Sequence, residues 1–244
     1  MAAAAENLIN AMATAADIND AALRAQSAAV ARRLIFADRL HGYLEGRFDD
    51  PLAYPSLQTA PNGATAYGLA LERLTVWSLE TGFQKARIDR VQAAAYREDG
   101  HIVGLRQWPN LALFAVDPTS GRARVIAHSD IVANVSAMFP DAGLAVVAGT
   151  RLGAPVIAGF DVNSGKTTFV ASLPLPGARH IALDPASGRI FVAASGGGTI
   201  VALDGTGAHL GDIVVADGVE GLETTPDGAN LIVRAGAGHA LPTP

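Results

Sequence analysis

The stretch Leu111–Ala127, LALFAVDPTSGRARVIA, decides how this chain folds. An apolar run ends at Asp117, a turn passes through Ser120 and Gly121, and a second strand begins at Arg122. Aspartate can bond the backbone of its own turn, and glycine accepts the left-handed backbone that tight turns demand. The same figure returns as VIAGFDVNSGKTTFVA, with Asp161 and Gly165, and as TIVALDGTGAHLGDIV, with Asp204 and Gly207. Weaker copies are LTVWSLETGFQKARI, turning at Gly82, and RRLIFADRLHGYLEG, with Asp38 and Gly42. The turn glycines at 42, 82, 121, 165 and 207 stand 40, 39, 44 and 42 residues apart.

A second kind of turn falls roughly midway between these. Its copies contain Asn62-Gly63, Asp99-Gly100, Asp141-Ala142-Gly143, Asp184 to Gly188, and Asp227-Gly228. Each is followed by an apolar strand: ATAYGLA, HIVGLRQ, LAVVAGT, RIFVAAS and NLIVRAG. Two turns per period imply four strands, a to d, with the Asn/Asp turn joining a to b and the Asp…Gly turn joining c to d. A four-stranded unit returning every 40 or so residues is the signature of a propeller blade. The pattern resembles the WD40-like and YVTN-like β-propeller repeats over residues 57 to 235, although no Trp-Asp dipeptide is present.

The expected fold is therefore all-β, a propeller of five to six blades in one domain spanning residues 1–244. Blades are expected at 51–88, 89–130, 131–174 and 175–216, with a partial blade at 217–244 that stops before a convincing c and d. Residues 1–50 are open between two readings. They form a short helical segment, about Ala21 to Asp38 in an Ala-, Leu- and Arg-rich run, or another, divergent blade. If residues 1–30 are helical, strands at 32–37 and 43–48 could supply c and d to the last blade.

Composition agrees with packed sheets. Hydrophobic residues make up 50% and charged residues 17%, an apolar balance that strands covered on both faces require. No run of 18 apolar residues predicts a membrane-spanning helix. The net charge of −5 comes without a basic run, so no nucleic-acid partner is expected. Cysteine is absent, which excludes disulfides, thiolate metal sites and a cysteine nucleophile. The Ala-rich start lacks a secretory pattern. That reads as cytoplasmic by default, or periplasmic if a signal has been removed.

Motifs for chemistry are sparse. Gly159–Thr167, GFDVNSGKT, nears the phosphate-loop pattern, but five residues separate Gly159 from Gly165 and no helix is expected to follow. There is no Gly-x-Ser-x-Gly elbow. Asn134-Val135-Ser136 matches a glycosylation sequon. The residues with most individual character fall in the b–c and d–a loops, which share one face: Arg106, Trp108 and Arg151 in the former, His128, Asp130 and Arg179 in the latter, with His180 opening a strand a. Charged and aromatic groups around a channel mouth can bind a partner or ligand. His128, Asp130 and His180 form the best grouping for chemistry. No metal and no cofactor is expected. The function expected is a non-catalytic scaffold that binds a protein or ligand through one face. The alternative is a propeller enzyme, a lactonase-like hydrolase or a quinone-linked oxidoreductase, by fold-level analogy.

Overall fold

The Asp…Gly turns join strands where the spacing predicts. The computed structural model describes residues 56–80, 83–107, 110–216, 218–225, 227–234 and 239–242. The N-terminal helix or blade, the strands at 32–37 and 43–48, and the turns at Gly42 and Gly82 lie outside the described residues.

The first sheet is β1 (Ser56–Thr59), β2 (Thr65–Ala70), β3 (Arg73–Ser78) and β4 (Gln84–Asp89). The second is β5 (Val91–Tyr96), β6 (Ile102–Gln107), β7 (Leu111–Val116) and β8 (Ala123–Ser129). The third is β9 (Val132–Phe139), β10 (Leu144–Arg151), β11 (Ala154–Asp161) and β12 (Thr167–Ser172), with one 3-10 turn at Pro140–Ala142. The fourth is β13 (Ala178–Leu183), β14 (Ile190–Ala194), β15 (Thr199–Leu203) and β16 (His209–Val214). In each, every strand pairs antiparallel with the next in sequence. The fifth sheet has three described strands, β17 (Gly221–Thr224), β18 (Asn230–Arg234) and β19 (His239–Pro242). Here the structure corrects the sequence reading. His239–Pro242 pairs with β18 from Asn230 to Val233 and supplies a strand c. Four residues ending in proline carry no strand signal of their own; the open edge of β18 provides the partner.

The burial pattern follows from the stacking of sheets. In the first four sheets strands b and c are almost continuously buried, as in β6, β7 and β11, because both of their faces meet neighbouring sheets. Strand d alternates, as in β4 and β16, because one face meets solvent. The a strands lie against one another, β5 on β9, β9 on β13 and β13 on β17, so they are innermost. Each core cluster draws on two successive sheets: Phe114 of the second packs with Leu74 and Val76 of the first, and Phe191 of the fourth with Leu222 and Val233 of the fifth.

The repeated glycines hold these sheets together in a specific way. Gly121, Gly165 and Gly207 have φ of +71°, +74° and +83°. Each also abuts strand d of the preceding sheet. A Cβ on Gly121 would stand 2.1 Å from the Lys85 carbonyl oxygen of β4; one on Gly165 would stand 2.6 Å from Ile126 of β8, and one on Gly207 2.8 Å from Phe169 of β12. The d strands bulge here. The register skips Lys85 between Val76 and Trp77, and Ile126 between Leu113 and Phe114. A bulge bends its strand and opens the ladder locally. The next sheet's glycine turn fits against that bend.

The aspartates earn their place within the turns. Asp117 Oδ2 accepts from Ser120 Oγ at 2.7 Å, and its Oδ1 from the Thr119 amide at 2.9 Å. Asp161 Oδ1 accepts from Ser164 Oγ at 2.7 Å and from the Ser164 amide at 2.6 Å. Asp204 Oδ1 accepts from Thr206 Oγ1 and the Ala208 amide at 2.7 and 2.9 Å. These bonds hold all three carboxyls below their ordinary value. At Asp184 burial pushes the other way, and the bonds from Ser187 and the turn amides outweigh it. A lowered folded value means the contribution is complete above the unfolded value of about 3.9 and is lost as pH falls through the folded one. These aspartates should therefore make the melting temperature drop most steeply below about pH 4, after a smaller loss below about pH 6.5 where unfolding lets His180, whose pKa the fold lowers, take up a proton. Calorimetry across this range checks it, and Asp161→Asn should weaken the acid dependence.

Candidate functional site

The b–c and d–a connections share one face because strands a and c run opposite to b and d. Main-chain bonds tie them together: Val91 N–H to Glu72 O at 2.8 Å, Gln107 N–H to Arg90 O at 3.1 Å, and Val219 N–H to Gly197 O at 3.0 Å. Two connections are two-residue hairpins with both central φ positive: Leu71-Glu72 at +47° and +58°, and Leu152-Gly153 at +51° and +81°. Asn-Gly is the pair that suits such a turn. A leucine there carries a left-handed strain of about 1–2 kcal/mol. Both leucines point to solvent, Leu71 at 80% and Leu152 at 99% exposure. Arg90, which alone links β4 to β5, is likewise left-handed at +64°. Strained residues of this kind cluster where structure serves binding.

The sequence-predicted residues divide into three groups. Trp108 lies outside the described residues. His128, Asp130 and Arg151 come together in a cleft of about 470 Å3 between the second and third sheets, floored by Phe160 and Ile131. Arg151 Nε donates to Asp130 Oδ2 at 2.9 Å. The pair is about half exposed, so it contributes at most about 1 kcal/mol. Arg106 lines a second cleft, of about 520 Å3, between the first and second sheets, with Arg87, Asp89, Arg90, Phe114 and Arg124. Arg179 and His180 sit apart from both, on the inner strand β13.

Several of these residues are strand residues rather than loop residues. His128 belongs to β8, Arg106 to β6, Arg151 to β10 and Arg179 to β13, because the ladders run up to the turn. His180 does not line the cleft of His128 and Asp130. Its Nε2 is buried with no hydrogen-bond partner among the described residues. Burial, aided by Arg234, holds its pKa below the ordinary value, so the ring is neutral at pH 7. Among the described residues no three His, Asp or Glu side chains gather as a metal site would require. The Gly159–Thr167 segment is the hairpin between β11 and β12, so its amides are not those of a helix N-terminus.

Sequence reasoning missed an inner polar network. Ser136 Oγ donates to Gln92 Oε1 at 2.7 Å, linking β9 to β5. Gln107 Oε1 accepts from the Ala133 amide at 3.0 Å. The inner strands also bulge near this face, skipping Gln92, Asn134 and Arg179 in the register with strand b. Asn134 and Arg179 are exposed and Gln92 half-buried. The bulge is set by pairing geometry, which no single-residue signal reports.

Among the described residues no helix is long and apolar enough to cross a membrane. No family model and no curated protein matches the chain. Solved structures do. The Cps50 (Swd1) β-propeller domain of Myceliophteria thermophila matches with a TM-score of 0.52 at 14% identity, over 78% of this chain and 66% of that one. Kuenenia stuttgartiensis hydrazine synthase matches at 0.57 and 14%, over 77% and 70%. The Dos1 propeller matches at 0.55 and 12%, over 72% of this chain and 51% of that one. The chain thus spans between half and seven-tenths of these proteins' chains. At such identities the likeness speaks to architecture alone, and with the stacked four-stranded sheets it shows that this chain has the β-propeller fold.

Proposed function

We propose that this propeller is a non-catalytic platform that captures a protein partner through the face of its b–c and d–a connections. The observation that carries the reading is Leu152, a leucine held left-handed and 99% exposed where glycine or asparagine would sit without strain. Leu71 repeats it two sheets earlier. Exposed apolar tips flanked by a polar pair such as Asp130 and Arg151 match the composition of a contact surface, an apolar centre with a charged rim. The enzymatic reading has less support, since His180 does not line the cleft that holds His128 and Asp130.

Leu152→Asn separates binding from folding. Asparagine tolerates the left-handed backbone, so stability should rise by up to about 1 kcal/mol. Partner affinity should fall tenfold or more, as for an anchor residue worth about 1.4 kcal/mol or above. A photo-crosslinking residue at position 152 should label the partner, and one at position 163, in the turn on the opposite face, should not. Unchanged capture by Leu152→Asn, or equal labelling from both positions, contradicts the platform.

A further inference from the structure

We propose that the cleft between the first and second blades binds a small phosphorylated ligand through Arg87, Arg106 and Arg124. This site stands apart from the Leu152 platform and does not depend on it. All three arginines line one cleft of about 520 Å3, a volume in the range that small ligands occupy. Among the described residues Asp89 is the one carboxylate in the lining, and Ile88, Phe114 and Val125 form an apolar wall.

The neighbouring cleft serves as an internal comparison. There a d–a carboxylate, Asp130, meets the arginine at the end of strand b, Arg151, at 2.9 Å. In the first cleft the corresponding carboxylate is taken by its own sheet: Asp89 Oδ1 lies 2.9 Å from Arg73 Nε and 3.9 Å from Arg87 Nε. Arg106 at the end of β6 is left without that partner. Its Nε is buried and makes no hydrogen bond among the described residues. Leaving a buried charged donor unmet costs more than a typical hydrogen bond gains, so the position is poised for an acceptor supplied from outside.

Positive charge dominates the cleft. The Arg73 hydrogen bond, with the charges of Arg73, Arg87 and Arg90, holds the Asp89 carboxyl below its usual range. Among the described residues Asp89, already held by Arg73, does not balance Arg87, Arg106 and Arg124. A phosphoryl group carries about −1.5 to −2 at neutral pH and offers three strong acceptor oxygens. Guanidinium forks bind such oxyanions in pairs of parallel hydrogen bonds. Arg106 would engage the anion at the base of the cleft, the exposed Arg87 and Arg124 at its rim, and the apolar wall would take the organic part.

Titration calorimetry of the full chain with inorganic pyrophosphate tests this, with succinate as a dicarboxylate comparator. The site predicts one saturable binding event, at least tenfold tighter for pyrophosphate. Arg106→Lys keeps the charge but loses the fork, and should weaken binding at least tenfold. Arg124→Gln, on an exposed rim residue, should also weaken it while leaving the melting temperature unchanged. Arg151→Gln, in the neighbouring cleft, should bind as the parent does. No saturable binding, no preference over succinate, or equal loss in Arg151→Gln would overturn the proposal.

Discussion

Replacing Gly121 with alanine is expected to destabilise the fold by about 3 kcal/mol. Two costs combine. An alanine at φ +71° carries about 1 kcal/mol of left-handed strain. Its Cβ would also stand 2.1 Å from the carbonyl oxygen of Lys85, and displacing backbone in a packed contact costs about 1–3 kcal/mol. Gly188 provides the control. It has φ +72° but nothing within 4 Å of an added Cβ, so Gly188→Ala should cost only about 1 kcal/mol. Urea unfolding of both variants measures the difference. For a domain of this size it corresponds to a melting temperature about 4–8 °C lower in Gly121→Ala than in Gly188→Ala. Equal effects would mean the turn does not lie against β4.

Phe114→Ala should cost about 4 kcal/mol, near the middle of the range for burying and then deleting an aromatic ring. The side chain is 2% exposed and belongs to the second sheet, yet its cluster includes Leu74, Val76 and Ala86 of the first. Truncation therefore opens the interface between sheets. Gly104, its cross-strand partner, sharpens the test. A Cβ on Gly104 would lie 2.6 Å from Phe114 Cζ. Gly104→Ala should cost about 2 kcal/mol in the parent and far less in Phe114→Ala, where the ring is gone. A double-mutant cycle by urea unfolding reads this coupling. Additive costs would show that the ring does not cover Gly104.

The sequence carried the fold through residues that act locally. Gly121, Gly165 and Gly207 signal left-handed turns, and Asp117, Asp161 and Asp204 signal carboxylates that cap them. Both effects reside within five residues, so their period was legible. The second role of the same glycines was not. Contact with Lys85 or Ile126 depends on where a distant strand bulges, and the bulge depends on pairing. β19 was missed because HALP becomes a strand only beside β18. The site was less legible still. Turn order alone puts Arg106, His128, Asp130 and Arg151 on the face of the b–c and d–a connections. Asp130 pairing with Arg151, and Asp89 turning back to Arg73, follow from side-chain reach across sheets. Leu71 and Leu152 drew no notice, because a leucine after a strand looks ordinary until its φ is known.

The central claim is that successive sheets stack as propeller blades with strand a innermost. The chain lacks cysteine, so introduced thiols are unique reporters. Gln92 and Ser136 join β5 to β9 across two blades, with Ser136 Oγ 2.7 Å from Gln92 Oε1. In Gln92→Cys with Ser136→Cys, a short bis-maleimide should cross-link the two thiols nearly completely in the native protein and poorly in urea. A control pair, Gln92→Cys with Asn163→Cys, places its second thiol on an exposed turn between β11 and β12 and should not cross-link. Failure of the first pair while both thiols remain reactive, or equal linkage in the control, would contradict the arrangement of blades described here.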